Sequence, residues 1–161
     1  MSDGKRPFLL QRHGANPILT AADWPHTVNS VFNPGAVRLR DGTTLLLCRV
    51  EDRRGISCLW AVRSDNGIDG WRIEPEPALL PDPEHHPEEL WGIEDPRIVW
   101  LDELGQYAVT YTAYSRPGPA VSLALTRDFV QFELDLPAAK CARTREEVIP
   151  PHPVEAVSVL L

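Results

Sequence analysis

The chain has 161 residues, enough for one domain with a real core, and 43% of them are hydrophobic, which excludes global disorder. Sixteen Lys and Arg against 23 Asp and Glu give a net charge of −7, which disfavours nucleic acid and anionic membrane as partners. No apolar run of about 18 residues is present to span a bilayer, and "MSDGKRPFLLQRHGANP" lacks the long apolar core of a secretory signal.

In chain order the apolar pattern reads as strands. "GAVRLR" (35–40) alternates, "DG" (41–42) turns the chain, and "TTLLLCRV" (43–50) returns as an apolar run, a strong hairpin signal. A third run, "ISCLWAVRS" (56–64), passes through "DNGIDG" (65–70) to a short fourth, "WRIE" (71–74). The pattern then restarts with "RIVWL" (97–101), "YAVTYTAY" (107–114), "PAVSLALTR" (119–127) and "DFVQFEL" (128–134). No long segment carries a helical apolar period; "REEV" in the tail is at most one turn. Cys48, Cys58 and Cys141 are odd in number and lack C-x-x-C spacing. The first two lie in apolar runs, so buried free thiols and a cytoplasmic location are expected.

The two halves align. "NPGAVRL" begins at Asn33 and "DPRIVWL" at Asp95, an offset of 62; "AVRSD" begins at Ala61 and "ALTRD" at Ala124, an offset of 63. Two four-stranded units at a period of roughly 60 residues predict propeller blades; two unrelated sheets in a sandwich are the alternative. Between them "EPEPALLPDPEHHPEE" (74–89) reads as a long blade-to-blade connection, and long structured loops are where function concentrates.

In "WGIEDPRIV" (91–99) two carboxylates, Glu94 and Asp95, stand beside Pro96 and Arg97. An Asp before Pro is commonly a turn residue. The repeat supplies another reading: Asn33 and Asp95 occupy equivalent points and face one axis, so both side chains can meet one ligand. Arg49 and Arg97 are suited to an anion or a carboxylate, with neutralisation of Glu94 as the plainer role for Arg97. Arg53 and Arg54, beside Glu51 and Asp52, read equally as a solvated hairpin tip. The cluster of His85, His86, Glu88 and Glu89 resembles metal ligands but lacks a rigid i, i+4 pair. Trp91, Tyr111 and Tyr114 are candidate sugar-stacking groups, although aromatics in strands are more often core.

Together, F-N-P, R-V-E-D, S-D-N-G, G-x-E-D-P-R and T-Y-T-A-Y, in that order from about Asn16 through Glu133, make the sequence resemble glycoside hydrolase family 130. These are β-mannoside phosphorylases and related β-mannosidases on a five-bladed β-propeller. The resemblance implies an all-β, partial five-bladed propeller, with two four-stranded antiparallel blades over 1–134 and an atypical tail over 135–161. It implies Asp95 as the general acid of an inverting reaction, reaching the leaving oxygen through the 3-hydroxyl of the mannosyl residue. A leaving sugar needs that proton as its C1–O bond breaks, and burial or the neighbouring Glu94 favours a protonated acid. Asn33, Arg49 and Glu94 are implied in substrate binding and Arg54 in phosphate binding. The implied reaction converts a β-mannoside, such as a manno-oligosaccharide, and inorganic phosphate to mannose 1-phosphate, with no metal or organic cofactor.

Family members usually continue through three further blades, whereas "AAKCARTREEVIPPHPVEAVSVLL" (138–161) shows no strand alternation. A truncated or frame-shifted reading frame is the expectation drawn from it, and with it a weak or inactive isolated chain whose open blade edge favours self-association. A β-mannoside hydrolase, a non-catalytic carbohydrate-binding remnant and a structural propeller fragment are the competing functions.

Overall fold

The computed structural model describes residues 12–134. They form two four-stranded antiparallel sheets, each wound in simple chain order. The first contains β1 (Ser30–Arg38), β2 (Thr44–Glu51), β3 (Ser57–Ser64) and β4 (Arg72–Ile73). The second contains β5 (Ile93–Leu101), β6 (Gln106–Ser115), β7 (Gly118–Thr126) and β8 (Phe132–Glu133). Among the described residues helix is confined to two three-residue 3-10 turns, Ala21–Asp23 and Pro87–Glu89. No helix among the described residues is long and apolar enough to cross a membrane. The tail lies outside the described residues.

The predicted hairpin is present. Asp41 Oδ1 accepts the Thr43 amide at 2.8 Å, and Gly42 takes φ 91°, a conformation glycine adopts without a Cβ penalty. Three boundaries differ from expectation. β1 starts at Ser30, five residues before the predicted Gly35, because Phe32 and Asn33 bulge out of the strand and Pro34 stays in it. β5 starts at Ile93, four residues before the predicted Arg97, because Asp95 and Pro96 do not end the strand but bulge out of it. "DFVQFEL" is mostly turn, with β8 reduced to Phe132–Glu133. There the Thr126 hydroxyl and the Asp128 carboxylate capture the amides that would otherwise enter a ladder.

That turn is built twice. Ser64 Oγ accepts the Gly67 amide and donates to the Asp69 carbonyl, while Asn66 Oδ1 accepts the Ile68 and Asp69 amides. Thr126 and Asp128 repeat the set on Phe129, Gln131 and Val130. The equivalent residues are therefore 62 apart, not the 63 suggested by aligning "AVRSD" with "ALTRD". Gly67 and Phe129 both sit at positive φ, 72° and 62°. Phenylalanine is disfavoured there, but its ring is buried in the core shared by the two sheets.

That core joins Leu45, Leu47, Leu59 and Ala61 of the first sheet to Tyr107, Val109, Tyr111 and Ala113 of the second. The opposite face of the first sheet is buried too. Leu46, Cys48, Val50, Trp60 and Val62 pack beneath Trp24 of the N-terminal segment. Burial on both faces explains why β2 reads as a continuous apolar run and not as an alternation. Cys48 and Cys58 are free thiols, and burial pushes the Cys48 thiol up to about 12, which makes it a packing residue.

The 74–92 connection runs back along β3. Leu59 bonds Leu79 and Ala78 through the backbone, and Gly92 pairs with Ser57. A methyl group added at Gly92 would lie 2.7 Å from the Ser57 nitrogen, so only glycine permits this approach. The chain is thereby delivered to the start of β5 at the end of the first sheet where β2 terminates.

Thr126→Val should destabilise the fold by about 1–3 kcal/mol, since it leaves buried turn groups unpaired; the urea midpoint measures this. The amides of Gln131 and Val130 hold the Asp128 carboxyl below the ordinary carboxylate range. Its contribution is present above the unfolded value of about 3.9 and is lost as pH falls through the lower folded value. Asp128→Asn, which copies Asn66, should keep neutral-pH stability and flatten the decline in acid, as read from melting temperature against pH.

Candidate active site

The first strand of each sheet breaks register at nearly the same point of the unit. In β1 the irregularity falls between Val31 and Pro34, leaving Phe32 and Asn33 opposite Arg49. In β5 it falls between Glu94 and Arg97, leaving Asp95 and Pro96 opposite Tyr111. Proline supplies no ladder donor, and a bulge re-aims the side chains beside it. Asp95 takes φ 50°, sparsely populated for a residue with a Cβ. The two bulges adjoin: a methyl group at Gly35 would stand 2.8 Å from the Pro96 carbonyl oxygen.

Arg49 occupies the junction. Its Nη2 donates to Glu94 Oε1 at 2.8 Å and its Nε to Ser57 Oγ at 3.0 Å. Nη1 lies 3.7 Å from Asp95 Oδ1, and Nη2 lies 3.9 Å from Glu51. The guanidinium stacks on the exposed Phe32 ring, 4.6 Å from its centroid. Glu51 is held separately by the Asn29 side-chain amide at 2.6 Å. One cation thus faces three carboxylates that differ in commitment. The Glu94 side chain is 23% exposed and takes the short bond, whereas that of Asp95 is 46% exposed and only loosely paired.

The predicted residues are distributed as follows. Arg49, Glu94 and Asp95 come together, and Asn33 is exposed in the neighbouring bulge. Arg54 projects from the β2–β3 turn at the same end of the sheets, where its guanidinium bonds Asp52 at 2.7 Å. Partial desolvation opposes ionisation of Asp52, yet the Arg54 side chain and the Ile56 and Arg54 amides hold its carboxyl below the usual range. Glu94 is bonded by Arg49, the residue 45 positions away, and Arg97 is exposed.

The acidic histidine cluster does not converge: His85 bonds Asp82, while Glu89 turns inward to Tyr111. Tyr111 is core, as expected of a strand aromatic, but Trp91 and Tyr114 are substantially exposed and lean on each other with ring centroids 5.4 Å apart. Ser57 and Phe32 escaped the sequence reading. Both act through Arg49, and only the β2–β3 pairing and the β1 bulge bring them to it.

This end of the two sheets offers a half-exposed carboxyl group on Asp95, a second on Glu94 engaged by Arg49, an amide from Asn33 and a guanidinium. That set suits hydroxyl-rich ligands and proton transfer to an oxygen leaving group. The profile of a family described as beta-1,4-mannooligosaccharide phosphorylase matches residues 10–150. No curated protein sequence matches the chain. One similar solved structure belongs to the family of mannoside phosphorylases described as containing glycoside hydrolases that target beta-1,2 mannosidic linkages in Candida mannan. It is 29% identical, with a TM-score of 0.66 over 76% of this chain and 39% of its own. A glycosyl hydrolase from Bacteroides ovatus is 31% identical, with a TM-score of 0.59 over 67% of this chain and 31% of its own. A beta-1,2-mannobiose phosphorylase from Listeria innocua shares the fold at 20% identity, with a TM-score of 0.63 over 76% of this chain and 49% of its own. The chain therefore spans less than half the length of these structures, and its two sheets correspond to β-propeller blades. With the profile matching most of its residues, the chain belongs to glycoside hydrolase family 130.

Proposed function

We propose that this protein contributes the general-acid side of a β-mannoside-cleaving site, and that phosphate is the acceptor. The observation that carries this reading is the contrast between two adjacent carboxylates: Glu94 bonds Arg49 at 2.8 Å, whereas Asp95 stands 3.7 Å away on a strained bulge with its side chain 46% exposed. In the reaction, Asp95 gives its proton to the oxygen leaving C1 of the mannosyl residue, through that sugar's 3-hydroxyl. A phosphate oxygen forms the new bond to C1 from the opposite face as the glycosidic bond breaks, so the anomeric configuration inverts. The products are mannose 1-phosphate and the shortened saccharide. Asn33, Arg49 and Glu94 bind the mannosyl hydroxyls, and Arg54 supplies positive charge toward phosphate. The reaction uses no metal or organic cofactor, and the free thiols of Cys48 and Cys58 fit a reducing cytoplasm.

Hydrolysis is the second reading, because a similar structure comes from family members described as hydrolases. Incubation of the protein with β-1,4- and β-1,2-mannosides, with and without phosphate, separates the two. Slow formation of mannose 1-phosphate, and only with phosphate, is the expected outcome, since the chain spans less than half the length of the similar structures. Free mannose in its absence selects water as the nucleophile, and binding without turnover selects a carbohydrate-binding role.

Asp95→Asn keeps the size of the side chain and removes its acidic proton. Turnover should fall at least about a hundredfold with saccharide affinity largely kept; a near-normal rate would show that Asp95 is only a bulge residue. Arg49→Lys cannot reproduce the simultaneous bonds to Ser57 and Glu94. It should weaken saccharide binding about tenfold or more, a loss of roughly 1.4 kcal/mol, measured by calorimetry.

A further inference from the structure

Glu89 is a buried carboxylate to which the proposed chemistry gives no role. It is 2% exposed and ends the 3-10 turn Pro87–Glu89. Both of its oxygens are engaged: Tyr111 Oη donates to Oε1 at 2.7 Å, and the Asp82 amide donates to Oε2 at 2.8 Å. Burying a charge is costly even when it is hydrogen-bonded, and an apolar side chain often fills such a position as well or better. Stability alone is therefore a weak reason for a carboxylate here.

Its partner's location supplies a better one. The ladder of the second sheet pairs Glu94 with Thr112 and Arg97 with Thr110, which leaves Tyr111 as the β6 residue across from Asp95 and Pro96. The short segment from Glu89 to the bulge closes on itself once and is held to Tyr114 of β6 by two further bonds. Gly92 donates to the Glu89 carbonyl at 2.9 Å, Trp91 donates to the Tyr114 carbonyl at 2.8 Å, and Tyr114 donates to the Gly92 carbonyl at 3.1 Å. The Glu89–Tyr111 bond closes this ring of contacts behind the bulge. Burial first, and then the Glu89 carboxylate, push the Tyr111 phenol up, so it remains the donor in that bond. Asp95 at φ 50° holds a left-handed conformation that aspartate tolerates better than most residues but that its neighbours must still maintain against the extended alternative of the strand.

We propose that Glu89 is a positioning residue for Asp95, acting through Tyr111 to fix the β6 backbone against which the Asp95–Pro96 bulge is set. The proposal rests on the reading of Asp95 as the acid. A displacement of about 1 Å in a reacting group costs on the order of a hundredfold in rate, and the Tyr111 backbone is where such a displacement is prevented.

The test uses Tyr111→Phe and Glu89→Gln in the whole protein, with two readouts. In isotope-labelled protein, Tyr111→Phe should shift the Asp95 amide resonance and leave that of Asn33, in the equivalent bulge of the other sheet, in place. In mannoside turnover with phosphate, kcat should fall about ten- to a hundredfold while KM stays within about twofold. Adding Tyr111→Phe to Asp95→Asn should cause no further fall in kcat, because a residue that acts only through Asp95 has nothing left to position. Glu89→Gln keeps an acceptor for the Asp82 amide and turns a donor toward the Tyr111 oxygen; it should shift Asp95 less than Tyr111→Phe does, and it stands in if the phenylalanine variant fails to fold. An unmoved Asp95 resonance, equal shifts at Asn33 and Asp95, or a full additional loss of kcat in the Asp95→Asn background would each overturn the proposal. If Asp95→Asn itself turns over normally, the acid reading fails separately, and the resonance of Asp95 alone decides whether Glu89 sets the bulge.

Discussion

The ion pair between Arg49 and Glu94 joins the two sheets at the point where their irregular strands meet. Its partners are 45 residues apart and belong to different sheets, so neither is placed until both sheets have formed and docked. The pair is partly shielded, and Ser57 and Phe32 fix the guanidinium from two other directions. Shielding raises the cost of losing one partner, because the survivor keeps a charge without compensation. The apolar core between the sheets supplies adhesion, and Arg49 supplies register. A sliding of one sheet over the other that the core would tolerate breaks the bond to Glu94.

Local strain at Asp95 belongs to the same arrangement. A regular antiparallel strand would turn successive side chains to opposite faces, sending Glu94 and Asp95 apart. The bulge suspends that alternation for two residues, so one guanidinium reaches both. Proline at 96 makes this inexpensive, since the ladder bond it cannot make is one that the bulge does not require. The close contact of Gly35 with the Pro96 carbonyl then leaves the bulge little room to relax toward the first sheet.

Much of the architecture was legible because it is local. Alternation in β1, the Asp41–Gly42 turn and the restart of the pattern after the acidic connection are all written in neighbouring residues. The start of β5 was not legible, because Asp-Pro carries the same signature in a turn and in a bulge, and only pairing with β6 separates them. The last run was misjudged for a related reason: Thr126 and Asp128 have ordinary strand neighbours, but their oxygens compete for the backbone amides that follow. For Trp91 and Tyr114 the choice between a sugar-stacking and a core role stayed open, because composition does not say which face of a strand a second element covers. At the site, the motif order singled out Asp95, Glu94 and Arg49, three side chains that the structure brings together. Glu89 was visible only as part of an acidic histidine cluster, since its partner Tyr111 lies 22 residues away and no local pattern connects them.

The two bulges also bear on how such a site can diverge after duplication of a unit. Each copy inherits a backbone that lifts a polar residue out of the sheet at nearly the same place, so direction is set before chemistry. One copy carries an amide in Asn33, the other an acid in Asp95, and the turn residues pair serine and asparagine in one with threonine and aspartate in the other. A side chain at these points is free to change its proton inventory without a new loop or a new strand. Division of labour between copies then requires only point substitution, because the common scaffold has already aimed both residues.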